Sequence, residues 1–161
     1  MKLLGHPIHP MLIVFPLGLL ATAVIFDILY VATANDDLAT FSYYAMIAGV
    51  IGGLLAAVFG LLDWSKIPKD TRARRIGAVH GVGNVIVTGL FIVSLASRWG
   101  DPTYLPAVLP MVFGLVGALI ALFTAWLGGE LVYRLRVAVD DDANLNASNS
   151  ISREGIAEVR T

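Results

Sequence analysis

Three histidines and two carboxylates stand where this chain could do chemistry. His6 and His9 lie in Gly5-His6-Pro7-Ile8-His9-Pro10, just ahead of a long apolar run, and His80 sits five residues into a third such run. Asp63 closes the second run, and Glu130 follows the fourth in Gly128-Gly129-Glu130-Leu131. If the four runs are antiparallel helices, all five groups reach one level. Neutral imidazoles with carboxylates suit zinc, iron or manganese better than thiol-seeking metals. Helix polarity agrees. The histidines fall at helix N-termini, which favour the uncharged ring, while Asp63 and Glu130 fall at C-termini, where a carboxylate needs a cation, a proton or hydration. A redox version places a b-type haem between His80 and His9 or His6, because histidines on facing helices supply both axial positions.

Plainer readings stand beside these. Lys66, Lys69 or the Arg72–Arg75 run could neutralise Asp63, and Arg134 could neutralise Glu130. Helical phase puts Glu130 on the Trp126 side unless the chain breaks at Gly128-Gly129. If His6 caps the first helix, His6 and His9 stand about 5–6 Å apart on one face. In an extended polyproline leader they would be about 9 Å apart, too far for one metal. Pro16, inside the run, should kink it and free a carbonyl. On the far side, Asp27 lies within the first run and Arg98 at matching depth in the third. They read as an intramembrane ion pair or, in a transporter, as a proton site.

The elements that must position these groups follow from composition. Of 161 residues, 57% are hydrophobic and 14% charged, with no cysteine and a formal net charge of -1. A soluble domain has about 45–50% apolar and about 25% charged residues. The missing cysteines exclude disulfides, thiolate metal sites and a Cys nucleophile. The absent basic excess argues against nucleic acid as a partner. No G-x-S-x-G elbow or phosphate loop supports nucleophilic catalysis. The apolar residues fall into runs at 11–32, 41–64, 76–99 and 106–129, which carry only Asp27, Asp63 and Arg98 as charges. About 20 apolar residues span a bilayer as a helix, and unbroken runs do not fit barrel strands. The expected fold is therefore all-α: four transmembrane helices in an up-down-up-down bundle over residues 1–139, joined by short links. The remainder, 140–161, opens with Asp140-Asp141-Asp142, continues polar, and is expected to be a disordered cytoplasmic tail.

Ten of the eleven Lys and Arg residues fall on the side of the N-terminus, the Ser65–Arg75 link and the tail; Arg98 alone falls on the other. The positive-inside rule then puts both termini in the cytoplasm. Stripes of small residues, such as Ala45, Gly49, Gly53, Ala56 and Gly60, predict close helix packing within one chain, with homo-oligomerisation left open. Each hairpin also begins near a histidine and ends near a Trp and an acid, which suggests two parallel repeats about an axis along the membrane normal.

The Gly5–Pro10 leader, followed by Phe15-Pro16-Leu17-Gly18-Leu19, resembles the start of a bacterial membrane family known as domain of unknown function 2231. His80 and the Gly128–Arg134 segment are similar to its pattern, with Leu135 a departure where members usually carry a nearby Gly. The resemblance implies four spans in a bacterial inner membrane and, from modules found beside Rieske or cytochrome-type domains, electron transfer with redox partner proteins. The leading expectation is an integral membrane module binding a metal or haem through His6, His9 and His80, with Asp63 and Glu130 as further ligands or supporting acceptors. The alternatives are a small proton-coupled transporter and a structural subunit of a membrane redox complex.

Overall fold

The computed structural model describes residues 1–151. It opens with a minute antiparallel hairpin, β1 (Lys2–Leu3) and β2 (His6–Pro7), with Leu3 opposite His6. The two-residue connection, Leu4-Gly5, has φ of 50° and 84°. That is the left-handed geometry of a tight hairpin turn, and Gly5 adopts it without strain. The leader is thus neither a polyproline stretch nor a helical turn capped by His6, because the helix begins only after Pro7.

Four helices follow that are long and apolar enough to cross a membrane. The first is made of α1 (Ile8–Leu12) and α2 (Val14–Thr33), joined through Ile13. Pro16 explains the join: without an N–H it cannot bond to the Leu12 carbonyl, so the ladder fails one turn before the proline. α2 ends with Ala34 left-handed at φ 53°. Asn35 then caps α3 (Asp36–Ser65) by accepting from the Asp37 N–H at 3.1 Å. Thr71 caps α4 (Arg72–Ala96) in the same way through the Arg74 N–H. α5 (Val108–Gly129) runs directly into one π-helical turn, Glu130–Arg134, where the Leu135 N–H reaches back to the Glu130 carbonyl.

Contacts fix the alternation of direction. The start of the first helix meets the end of α3 through His9 and Ala56, and the start of α4 meets the end of α5 through His80 and Thr124. The shared core of Leu20, Ala23, Val24, Met46, Val50, Val87 and Phe91 lies toward the far side. Small residues let the backbones approach. A Cβ on Gly49 would lie 2.6 Å from Leu20, and one on Gly117 would lie 3.0 Å from Phe91. The α3 stripe therefore seats the first helix of the same chain. Outward-facing residues such as Leu54, Leu61, Val82, Val85, Leu119 and Leu122 are exposed and apolar, which is the surface that lipid covers.

The acidic tail segment is irregular, with turns near Asp141, Asn146 and Ser150. Asp140 pairs with Lys2, and the Ser150 hydroxyl donates to the Leu4 carbonyl at 3.2 Å. The rest of the expected disordered tail lies outside the described residues.

Candidate functional site

Of the five groups at the N-terminal face, the structure brings together two, His9 and His80. Their ring centroids are 6.3 Å apart, with the planes at 88°. Each ring is anchored by its own hairpin. His9 Nδ1 lies 2.9 Å from the Ala56 carbonyl, and His80 Nδ1 lies 2.8 Å from the Thr124 carbonyl. A carbonyl can only accept, so both Nδ1 atoms carry the proton, and in the neutral ring the lone pair sits on Nε2.

The two anchors are built alike. His9 packs on Gly60, one helical turn beyond Ala56, and His80 packs on Gly128, one turn beyond Thr124. A Cβ on Gly60 would lie 2.9 Å from His9 Cε1, and one on Gly128 would lie 3.3 Å from His80 Cε1. In both hairpins the first helix supplies the histidine, and the second supplies a carbonyl and, four residues later, a glycine that leaves room for the ring. The chain separations from histidine to carbonyl are 47 and 44 residues. The resemblance between hairpins thus lies in this anchor; Asp63 and Glu130 do not occupy equivalent places.

His80 has a further neighbour. Asn84 Nδ2 lies 3.3 Å from His80 Nε2 and donates to the His80 carbonyl at 2.8 Å, while the Thr124 hydroxyl donates to Asn84 Oδ1 at 3.2 Å. Thr88 continues this polar edge by donating to the Asn84 carbonyl. Asn84 and Thr88 follow His80 at spacings of four and eight along α4, the signal that could have found them, whereas Thr124 comes from α5 and carries no such signal.

The other three candidates are held elsewhere. His6 lies in β2, with Nε2 3.3 Å from the Ser150 hydroxyl. Asp63 pairs with the Met1 amino group. Glu130, at the end of α5 and the start of the π-helical turn, reaches α4, where Arg72 Nη2 donates to it at 2.6 Å. Among the described residues, no group of three His, Cys, Asp or Glu side chains could hold a metal ion. The five-membered zinc, iron or manganese site does not assemble, because both carboxylates are neutralised by cations and His6 precedes the helix.

At the far side, Arg98 donates to both Asp27 oxygens, at 2.9 and 2.5 Å. Asp27 is 3% exposed and Arg98 1%, so this fork is sealed inside the bundle. Ser94 adds a longer contact to Arg98 at 3.3 Å. Nearby, the Tyr43 and Tyr104 rings stack at 4.4 Å and Tyr44 meets both edge-on, fastening the Gly100–Ala107 loop to α3.

The family described as "Predicted membrane protein (DUF2231)" matches residues 5–141. The chain belongs to this family. The match takes in the leader, all four helices and both anchored histidines. Neither a curated protein nor a solved structure matches. As a member of DUF2231, the chain is a predicted membrane protein whose family description assigns no activity.

Proposed function

We propose that this chain is a membrane-embedded binding module that presents two neutral imidazoles, His9 and His80, to one metal centre that brings its remaining ligands with it. The observation that carries this reading is the pair of Nδ1–carbonyl bonds, which orient both rings and put the ligating lone pair on Nε2, contacted in His80 by Asn84 alone. A zinc site needs three or four protein ligands, which the described residues do not offer. A b-type haem needs two, since its porphyrin supplies the others. His9 and His80, with ring centroids 6.3 Å apart, are the two residues that would supply those ligands.

Such a haem would supply a one-electron redox couple. His9 and His80 would hold it, the Ala56 and Thr124 carbonyls would raise their basicity, and Asn84 would release His80 Nε2 on binding. Electron transfer with redox partner proteins follows as the proposed role. The Lys and Arg distribution supports cytoplasmic termini, and a bacterial inner-membrane location is what the family resemblance implies. The transporter reading loses its mid-membrane acid, because Asp27 is closed by Arg98.

Absorption spectra and elemental analysis of the full chain, purified after haem-supplemented expression, test the proposal. The expected result is a Soret band with iron near one per chain, lost in His9→Ala and His80→Ala and retained in His6→Ala. Absence of both the band and any bound metal from the folded wild type overturns it.

A further inference from the structure

The N-terminal face holds more positive charge than its carboxylates neutralise. Asp63, Glu130 and Asp140 are already paired with Met1, Arg72 and Lys2. Among the described residues, Lys66, Lys69 and Arg75 form no ion pair. Lys69, Arg74 and Arg75 line a cavity of about 550 Å³ together with one acid, Asp70. Arg74 is held in place there. Its Nη1 donates to the carbonyls of Trp64, Ser65 and Ile67 at 2.9, 3.1 and 3.0 Å, and its guanidinium lies 3.8 Å over the Trp64 ring. The Trp64 indole donates in return to the Arg74 carbonyl. Those carbonyls carry no full charge and Asp70 is the one acid lining the cavity, so Lys69, Arg74 and Arg75 leave it net positive.

A second cavity, of about 380 Å³, lies between α4 and α5, and its α4 wall is Val79, Val82 and Ile86. These residues follow Arg75 at helical spacings of 4, 7 and 11, so they continue one face of α4 below the basic cavity. Eleven residues of helix rise about 16 Å, the scale of an acyl chain within one leaflet. Ile120 and Phe123 form the opposite wall. A cationic cradle at the membrane surface, above an apolar groove on the same helix face, matches an amphiphile with an anionic head.

We propose that this face binds one anionic phospholipid, with its phosphate among Lys69, Arg74 and Arg75 and an acyl chain in the α4–α5 groove. The groove borders the histidine pair at Thr124, which lines it and anchors His80, but the residues varied in the test are not in that anchor, and the test does not depend on any cofactor. Electron spin resonance of chain-labelled phosphatidylglycerol and phosphatidylcholine, each with the full chain reconstituted in bilayers, measures the relative association constants. Wild type should prefer phosphatidylglycerol, with the preference falling at high salt and by about fivefold for each cation removed in Lys69→Gln and Arg75→Gln. Val82→Trp, which fills the groove from an exposed position, should lower phosphatidylglycerol association with the cations intact. Equal association of the two lipids in wild type overturns the proposal, as does a preference unchanged in the Lys69→Gln/Arg75→Gln variant. Displacement of the lipid by inorganic phosphate at matched ionic strength assigns the cradle to a free anion and also overturns it.

Discussion

The two hairpins meet through polar groups at two levels, and the two junctions are chemically opposite. On the far side, Asp27 and Arg98 compensate each other's charge: both Asp27 oxygens accept from the two terminal Arg98 nitrogens, and only the buried Arg98 Nε lacks a partner among the described residues. On the N-terminal face, His9 and His80 each satisfy one nitrogen within their own hairpin and bring the other to the junction. A charge-compensated, buried pair of this kind can hold helices together but leaves its carboxylate no charge to offer a ligand. A half-satisfied pair contributes less to stability and keeps the capacity to bind. The difference separates a structural lock from a candidate site between the same two hairpins: Asp27 on α2 with Arg98 in the turn after α4, and His9 on α1 with His80 on α4.

The largest expected effect breaks the lock. Asp27→Ala leaves the Arg98 charge buried without a partner, which should cost about 3–5 kcal/mol, read from unfolding in mixed detergent micelles. Replacing both, as Asp27→Leu with Arg98→Met, should recover most of that loss, because well-packed apolar residues can substitute for a buried pair. A lock that tolerates Asp27→Ala with under about 1 kcal/mol lost would put the two junctions on the same footing.

His80→Ala should be milder. It removes the Thr124 and Asn84 contacts, at about 1–2 kcal/mol in total, yet it should abolish cofactor binding altogether. The same unfolding assay, run beside the Soret measurement, separates the roles: Asp27→Ala loses stability first, and His80→Ala loses ligand first.

Smaller still is a graded effect within the site. Gly60→Ala places a methyl at 2.9 Å from His9, whereas Gly128→Ala places one at 3.3 Å from His80. Gly60→Ala should therefore weaken haem binding more than Gly128→Ala, although both replacements favour the helix by about 1 kcal/mol. Equal affinities in haem titrations would mean that the glycines do not seat the rings.

The smallest effect sharpens the far side. In the loop beyond Arg98, the Thr103 hydroxyl and N–H both donate to Asp101 and hold its carboxyl below the ordinary value. Its small stabilisation is present above the unfolded-state pKa and fades as pH falls through the folded one. Thr103→Val should raise the Asp101 pKa, observed by NMR titration, without moving the Asp27–Arg98 pair.

How much of this could be read from the residues depends on how local the cause is. The four spans were legible because apolar runs of this length have one solvent, and Asp27 and Arg98 stood out because charges at that depth are rare. The histidines were legible as residue types, but their anchors were not. Every residue has a carbonyl, so nothing in Ala56 or Thr124 marks it as a partner. The separation of His6 from His9 depended on a turn at Leu4-Gly5, for which Gly5 was the cue. The destinations of Asp63 and Glu130 were set by cations distant in sequence, Met1 and Arg72, which spacing alone could not reveal.

The central claim is that His9 and His80 carry the proton on Nδ1, tied to the backbone, and keep the lone pair on Nε2, where His80 accepts from Asn84. Two-dimensional ¹⁵N–¹H spectra of the histidine-labelled chain in micelles, with His6→Gln to remove the third ring, measure this directly. The account predicts two neutral rings, both protonated at Nδ1 and bare at Nε2. Protonation of either ring at Nε2, or a doubly protonated ring at neutral pH, would contradict it.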